Sequence, residues 1–263
     1  MFRGLHGIAL KVQRIQQIEE YIKSHGSASL DELCQQFDVS KNTIRRDIQE
    51  LEARQIVKKV YGGVMVNDEK FLIPSISQRQ VRMPAEKARI GQKAAEFVND
   101  GDVIIIDSGT TTVHVIEHLQ HKQNITIITN SIPALNAAAL HPQLHVIVTG
   151  GDLLHSTNSL VGPEAIAMLK KLNANRLFLA VPGISLSKGI TTHSRIEAEI
   201  KNAMMEVSEQ IILLADHTKF ETVSLVTFAS LQEIDVIITD QATPPAYCHY
   251  CAEQQVQIIV AEP

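Results

Sequence analysis

Cysteine is scarce in this chain: three residues in 263, an odd number, cannot form the paired framework of a secreted scaffold and suit a reducing compartment. No stretch approaches the roughly 20 consecutive apolar residues of a membrane span. The opening MFRGLHGIALKVQRIQ is too weakly apolar for a signal peptide. Neither GxGxxG nor a Gly-rich turn ending in GK[ST] occurs, so the dinucleotide and Walker fingerprints are both missing. An excess of positive charge is lacking too, since 24 Lys and Arg stand against 29 Asp and Glu. These absences leave a soluble, cytoplasmic protein with no membrane partner. What is present is ample for a packed interior, at 44% hydrophobic and 20% charged residues. The length sits near the limit of one core, so two domains of unequal size are expected.

Positive charge exists, but locally. Residues 1–70 hold 11 basic and 10 acidic side chains, and the remainder holds 13 against 19. Between Lys41 and Val60 six basic residues (Lys41, Arg45, Arg46, Arg54, Lys58, Lys59) outnumber three acidic ones (Asp47, Glu50, Glu52). Such a cluster on an acidic chain points to one anionic partner met at one surface.

The pattern around that cluster explains it. Ile15, Ile18, Tyr21 and Ile22 recur at helical spacing, which predicts a helix over 12–24, ended by His25-Gly26. Ser29 followed by Glu32 is a capping box opening a short helix over 30–37. Asp38-Val39 makes a turn, and Ser40 caps a third helix from Lys41. On it Ile44, Ile48 and Leu51 face inward, leaving Asn42, Arg45, Arg46 and Gln49 outward, with Lys41 and Thr43 at its start. Two short helices joined by a tight turn, the second presenting Asn and Arg, form a helix-turn-helix. Such a helix fits the major groove, where Arg grips guanine and Asn adenine through two bonds each. Lys41 and the hydroxyls of Ser40 and Thr43 suit phosphates. QIVKKVYGGVMV then reads as two short strands around Tyr61-Gly62-Gly63, a wing that lays Lys58 and Lys59 along a phosphate backbone. Double-stranded operator DNA is the expected partner of residues 11–66.

NDEKFLIPSISQRQVRMP, residues 67–84, is polar with Pro74 and Pro84 and reads as a linker. Residues 85–263 then alternate. AEKARIGQKAAEFV is helical, whereas VIIID, ITIIT, LHVIVT, RLFLAV, QIILLA, DVIIT and QIIVA are short apolar runs rich in β-branched residues. Continuous runs separated by helical patterns indicate strands buried on both faces, hence an α/β fold with a largely parallel sheet. Ligands gather at the carboxyl ends of such strands. There SGTTT offers Gly109 for close approach and hydroxyls from Ser108, Thr110, Thr111 and Thr112, a cradle for phosphate or carboxylate.

Both halves resemble one family. SLDELCQQFDVSKNTIRRDIQELEARQIVKKVYGGV is similar to the N-terminus of the DeoR family of bacterial transcription regulators, with its VS..TIRRDL..LE signature and a basic wing ending in GG. Gln55 departs from the family's usual Gly, at a cost of ~1 kcal/mol or less. Residues 1–10 lie ahead of the usual start and read as a disordered extension or a mis-set start. AEK..I...AAEFV, DSGTTT, TNS, GG, G.TT....EAE.K.AM, ADHTKF and ITD follow in the order of the family's sensor domain. VTGGDLLHSTNSLVG resembles regulators of inositol catabolism within that family. The resemblance implies a winged helix-turn-helix joined to a sensor with the fold of ribose-5-phosphate isomerase and glucosamine-6-phosphate deaminase. It implies, further, a phosphorylated sugar or sugar-acid effector. Asp107–Thr112 would hold its phosphate or adjacent hydroxyls; Thr129, Asn130 and Ser131, with Gly150 and Gly151, would line the pocket. Asp216 and Lys219 would close it, and Glu197 would meet a sugar hydroxyl.

Other signals carry less. His114, His118 and His121 share a helix face but oppose Val115, Ile116 and Leu119, which makes that face a solvated one. Cys248 and Cys251 form a lone C-x-x-C with no second pair, Cys34 packs in the small unit, and HSRIEAEIKNAM reads as scaffold. No metal, cofactor or catalytic residue is expected. A repressor of a sugar or polyol operon, acting as a homodimer or larger homo-oligomer, is the leading expectation. The alternatives are a sugar-phosphate isomerase or deaminase using Asp107, Glu197 or Asp216 as general base, and a pure oligomerisation module with a vestigial pocket.

Overall fold

A computed structural model describes residues 11, 14–22, 27–54, 56–60, 63–66, 76–241 and 243–262. The expectations about residues 1–10, His25-Gly26, Gln55, Tyr61-Gly62 and the linker's 67–75 fall outside these. The chain divides into two units, Met1–Leu72 and Ile73–Pro263. That division falls within the segment expected to link them, and residues 76–80 of the segment form a helix that belongs to the second unit.

In the first unit, helix α1 (14–22) is followed by β1 (Ser27–Ser29), α2 (Leu30–Phe37), α3 (Lys41–Ala53), β2 (Val57–Val60) and β3 (Gly63–Val66). Ser29 and Glu32 form the expected capping box, so the first orphan N–H groups of α2 are satisfied. Asp38 takes the left-handed conformation (φ 48°) that ends α2, and the Ser40 hydroxyl accepts from the Thr43 N–H at 3.3 Å to start α3. Ile15, Ile18, Ile22, Leu33, Ile44, Ile48 and Leu51 bury together with Val57 and Val64 of the wing. Each contributes roughly 1.5–3 kcal/mol by leaving water. The wing has a third strand: β1 pairs antiparallel with β3, in the order β1-β3-β2. Gly63 permits that pairing, because a Cβ there would sit 2.4 Å from the Ala28 carbonyl oxygen.

The second unit opens with α4 (Ile76–Gln80) and α5 (Pro84–Ala95). Then follow β4 (Val103–Ile106), α6 (Val113–Ile116), β5 (Thr126–Thr129), α7 (Ile132–Ala138), β6 (His145–Val148), β7 (Asp152–Leu154), β8 (Ser159–Val161), α8 (Pro163–Leu169) and β9 (Ala174–Ala180). The chain continues through β10 (Gly183–Ser185), β11 (Gly189–Thr192), α9 (Arg195–Glu206), β12 (Ser208–Leu214), β13 (Val226–Ala229), β14 (Val236–Thr239), α10 (Pro245–Glu253) and β15 (Gln257–Val260). The seven apolar runs are the seven strands of one parallel sheet, ordered β15-β14-β12-β9-β4-β5-β6. Alternation puts Ile104 and Ile106 against α5, α6 and α7, while Ile105 faces the side covered by α8, α9 and α10. β10, β11 and β13 add a small antiparallel sheet, and β7 pairs with β8. Neither feature was expected from the polar, Gly-containing stretches that form them.

Strand order decides where a site can lie. From β4 the chain moves outward through β5 and β6, then returns to the other side of β4 with β9 and continues to β15. The reversal opens a crevice between the carboxyl ends of β4 and β9. Asp107 is the first residue there.

Candidate functional sites

On α3 the side chains of Lys41, Asn42, Arg45, Arg46 and Gln49 are exposed, whereas Ile44, Ile48 and Asp47 are buried. Asp47, counted among the cluster's acidic residues, thus points inward. Arg14 of α1 donates to it through Nε at 2.7 Å and Nη2 at 3.3 Å, and that bond raises the guanidinium's pKa. The Asp47 carboxylate is therefore withdrawn from the outward face that carries Arg45 and Arg46. Thr43 is half-buried, its hydroxyl 3.0 Å from that of Ser40. Lys41 pairs with the exposed Asp31, a contact worth little in water and displaceable by a phosphate. The two wing lysines differ. Lys59 pairs with Glu52 of α3, while Lys58 has no ion-pair partner among the described residues.

In the second unit the strand-end residues do two kinds of work. Some are consumed by the fold. The buried Asp107 carboxylate accepts from the Lys201 ammonium of α9 and, at 3.1 Å, from the Ala180 N–H at the end of β9. Lys201 also donates to the Ala180 carbonyl at 2.9 Å, so this pair closes the crevice floor. The Thr112 hydroxyl donates to the Asp107 and Gly109 carbonyls, at 2.7 and 3.1 Å. Thr129 donates to the Ile106 carbonyl and accepts from the Ser131 N–H; Ser131 caps α7. Gly151 packs so closely that a Cβ would meet the Val161 carbonyl oxygen at 2.4 Å, and Gly150 has open space. Asp216 accepts from the N–H and hydroxyl of Thr218, opening the 3-10 turn His217–Lys219.

Others remain available. Among the described residues no partner takes the backbone N–H groups of Ser108, Thr110, Thr111 or Thr112. Gly109 lets the loop lie against β9, where a Cβ would be 2.3 Å from that of Ala180. Asn130 donates to the Leu160 carbonyl at 3.0 Å, yet its buried Oδ1 has no partner, and neither has the buried Thr192 hydroxyl. Glu197 accepts from the Ser194 hydroxyl at 3.0 Å.

Four basic residues, Lys201, Arg79, Lys87 and His193, join Lys219 in the constellation, and none of the four was assigned from sequence. Glu197 and Lys201, four apart on α9, share its buried face with Ile200 and Met204; two charges on the apolar side of a helix were the available signal. Arg79 lies in α4, where its guanidinium feels the Glu197 and Asp107 carboxylates, and burial lowers its pKa. Lys87, 3% exposed on α5, donates to the Arg79 carbonyl. Burial, opposed by Asp216 and reinforced by Lys219, Arg79 and Arg82, lowers its pKa to about 8. The Lys219 ammonium stands 3.7 Å from Asp216. His193 shares Nδ1 with the Ser224 hydroxyl at 2.9 Å; burial first, then Arg79, Lys201 and Lys219, lower its pKa to about 4, so it is neutral at pH 7.

The face of α6 expected to be solvated is only partly so. His118 and His121 are exposed, but His114 is half-buried, its Cβ held against Gly91. Among the described residues no group of three His, Cys, Asp or Glu is placed to hold a metal ion. Cys34 packs against the first unit's core and Cys251 is buried in the second, while Cys248 is exposed. No helix among the described residues is long and apolar enough to cross a membrane.

A winged helix-turn-helix with an outward basic face, joined to an α/β unit with a polar crevice at its strand-order reversal, defines a transcription regulator that reads DNA and senses a small molecule. The chain belongs to the DeoR family: residues 14–70 match the DeoR-like helix-turn-helix domain and residues 82–241 the DeoR C terminal sensor domain. It is 41% identical to the HTH-type transcriptional regulator IolR of Bacillus subtilis, over 96% of this chain and 100% of the relative. It is 31% identical to the HTH-type transcriptional repressor GlcR of the same organism, over 95% of this chain and 96% of that one. Among solved structures, it is similar to ribose 5 phosphate isomerase A from Neisseria gonorrhoeae, at 18% identity and a TM-score of 0.38, over 53% of this chain and 54% of that one.

Proposed function

We propose that this regulator is a repressor of a sugar or polyol catabolic operon, and that a phosphorylated sugar or sugar acid bound in the second unit controls its hold on the operator. The observation that carries the effector reading is a loop, Ser108–Thr112, with unpartnered N–H groups, belonging to a site rich in cations (Lys87, Lys219, Arg79). Unmatched donors and desolvated cations together favour an anion with several oxygens. Ser108, Thr110 and Thr111 would hold that anion, with Lys219 as a point charge. Glu197 and the orphaned Asn130 and Thr192 oxygens would meet hydroxyls.

The carboxylates argue against turnover. Asp107 is paired with Lys201 and Ala180, Asp216 with Thr218, and Glu197 with Ser194, so each of the three carboxylates is already engaged within the protein. At the other end, Asn42, Arg45, Arg46 and Gln49 would read base edges, and Ser40, Lys41, Thr43, Lys58 and Lys59 would meet phosphates. Paired heads on half-sites call for a homodimer or larger homo-oligomer. The experiment is a thermal-shift screen over phosphorylated sugars and sugar acids, then operator affinity with and without each stabilising compound. Lys219→Ala, or Thr110 and Thr111 both changed to Val, should leave DNA binding intact and abolish the response, which in the wild type would be roughly 5- to 150-fold. Variants that respond as the wild type does would move the pocket elsewhere, and turnover by the isolated second unit would restore the enzyme reading.

A further inference from the structure

Charged residues punctuate this chain except in one place. From Gln123 to Gly151 there are 29 residues without Asp, Glu, Lys or Arg, whereas no other stretch between charged residues exceeds 12. The buried strand β5 accounts for part of this, but much of the rest faces solvent. Asn136, Ala139, Leu140, Pro142, Gln143 and His145 are exposed, and Leu140, at 78%, is the most exposed large apolar side chain among the described residues. The stretch includes β6, an edge of the seven-stranded sheet. His145 and Thr149 donate to the carbonyls of Ile125 and Thr129, so by alternation Val146 and Val148 turn their N–H and carbonyl groups away from β5. Open edges are usually blocked by Lys, Pro or a bulge, and β6, His-Val-Ile-Val, has none of these. The opposite edge differs. β15 is flanked by the exposed carboxylates of Asp235, Glu253 and Glu262, and no Lys or Arg follows Lys219 in the sequence.

We propose that the β6 edge and the adjoining end of α7 form the contact between two copies of this chain, β6 pairing antiparallel with the β6 of a second copy so that the sheet runs on across a two-fold axis. The inference rests on the homo-oligomer of the reading above and names its surface. The occupant follows from charge. In a two-fold contact a surface meets itself, so a patch of one sign repels its mate, as the acidic β15 edge would on this chain of net charge -5. The uncharged stretch escapes that repulsion, and interface cores are depleted of charge in the same way. A foreign partner would need no such neutrality, since complementary charge could guide it. Geometry brings in the helix. The axis relating two antiparallel neighbours stands perpendicular to their sheet, so α7, which packs with Val146 of β6 in one cluster, meets the α7 of the copy on the same face. The crevice between β4 and β9, two strands further in, stays open.

Sedimentation of the full chain gives the test. The wild type should sediment as a dimer or a multiple of one. Leu140→Lys and His145→Lys, both at exposed positions that the fold does not need, should cut that mass to half or less. They should also weaken operator binding roughly 100-fold, since two heads no longer bind as one. Both should keep the thermal shift that effector compounds give the wild type, because the crevice is untouched. Leu225→Lys, at a residue 73% exposed but outside the stretch, should leave the mass unchanged. Hydrogen exchange adds a readout that a general loss of stability would not reproduce. The Val146 and Val148 amides should be protected in the wild-type dimer and exchange freely in His145→Lys, while those of β5 stay protected in both. Wild-type mass in both lysine variants, or free exchange at Val146 and Val148 in an intact dimer, would overturn this surface and leave the homo-oligomer standing. A wild type that sediments as a monomer at every concentration would overturn both.

Discussion

In the reading unit the cations Arg45, Arg46 and Lys58 stand in solvent, and the buried charge is a carboxylate, Asp47. In the sensing unit two ammonium groups, Lys87 and Lys201, are buried beside the carboxylates of Asp107, Glu197 and Asp216, and the Arg79 guanidinium is shielded with them. Both arrangements suit anions, but different ones. DNA is a dense polyanion, and exposed side chains suffice because each phosphate contact releases counterions. A small metabolite offers one or two charges, so the site must be dry enough for Coulomb attraction to discriminate. Exposed charge suits a partner that is everywhere charged, and buried charge one that must be chosen.

The sharpest break in this comparison is at Lys201. Lys201→Met leaves the Asp107 carboxylate buried and unpaired, which should cost about 3–5 kcal/mol in urea unfolding of the second unit. Adding Asp107→Asn should recover most of it. A loss below about 1 kcal/mol would mean that the crevice floor is wetter than its burial implies. In the reading unit Arg46→Ala should cost about 1–3 kcal/mol of specific operator binding and relax one base preference. Unchanged affinity with folding intact would remove α3 as the reader.

A pH titration of effector binding separates the two kinds of cation. Lys87 has its pKa lowered from 10.5 to about 8, and a bound anion raises it again. From about pH 8 up to the higher pKa that Lys87 takes beside the anion, the complex thus holds more protons than the free protein, and affinity should fall as pH rises, by up to roughly tenfold per unit. Below pH 8 Lys87 is already charged and its contribution is complete. A phosphate ester would add a second fall below its own ionisation near pH ~6, which a sugar carboxylate would not. Calorimetry in two buffers reads the proton uptake directly, and its absence at pH 9 would separate Lys87 from the effector. The smallest effect distinguishes the wing lysines. Lys58→Ala should flatten the log–log salt dependence of operator binding by up to about one unit, and Lys59→Ala by less, since Glu52 already neutralises it. A larger change at Lys59 would mean that DNA displaces Glu52.

Much of the fold was legible because its signals are local and repeated. The capping box at Ser29, the inward Ile44, Ile48 and Leu51, and seven runs of β-branched residues each announce an element within a few positions. β1 was not legible: Ser-Ala-Ser has no pattern, and it becomes a strand only because Gly63 lets another strand approach. At the candidate site the Ser108–Thr112 turn was visible, since Gly and hydroxyl residues at a strand end have few other uses. Arg79 and Lys87 were not, because a basic residue in a polar stretch looks the same whether it faces water or a crevice. Burial is decided by distant strands meeting at β4 and β9, which no local window contains.

The inward turn of Asp47 has a practical consequence for redesign. On α3 the positions that hold the fold together (Ile44, Asp47, Ile48, Leu51) and those free to be varied (Asn42, Arg45, Arg46, Gln49) interleave without overlapping. A library that randomises the second set alone can be screened for new operator sequences without discarding folded protein. One that includes Asp47 would mostly sample Arg14 stranded beside the core, and would mistake unfolding for lost recognition.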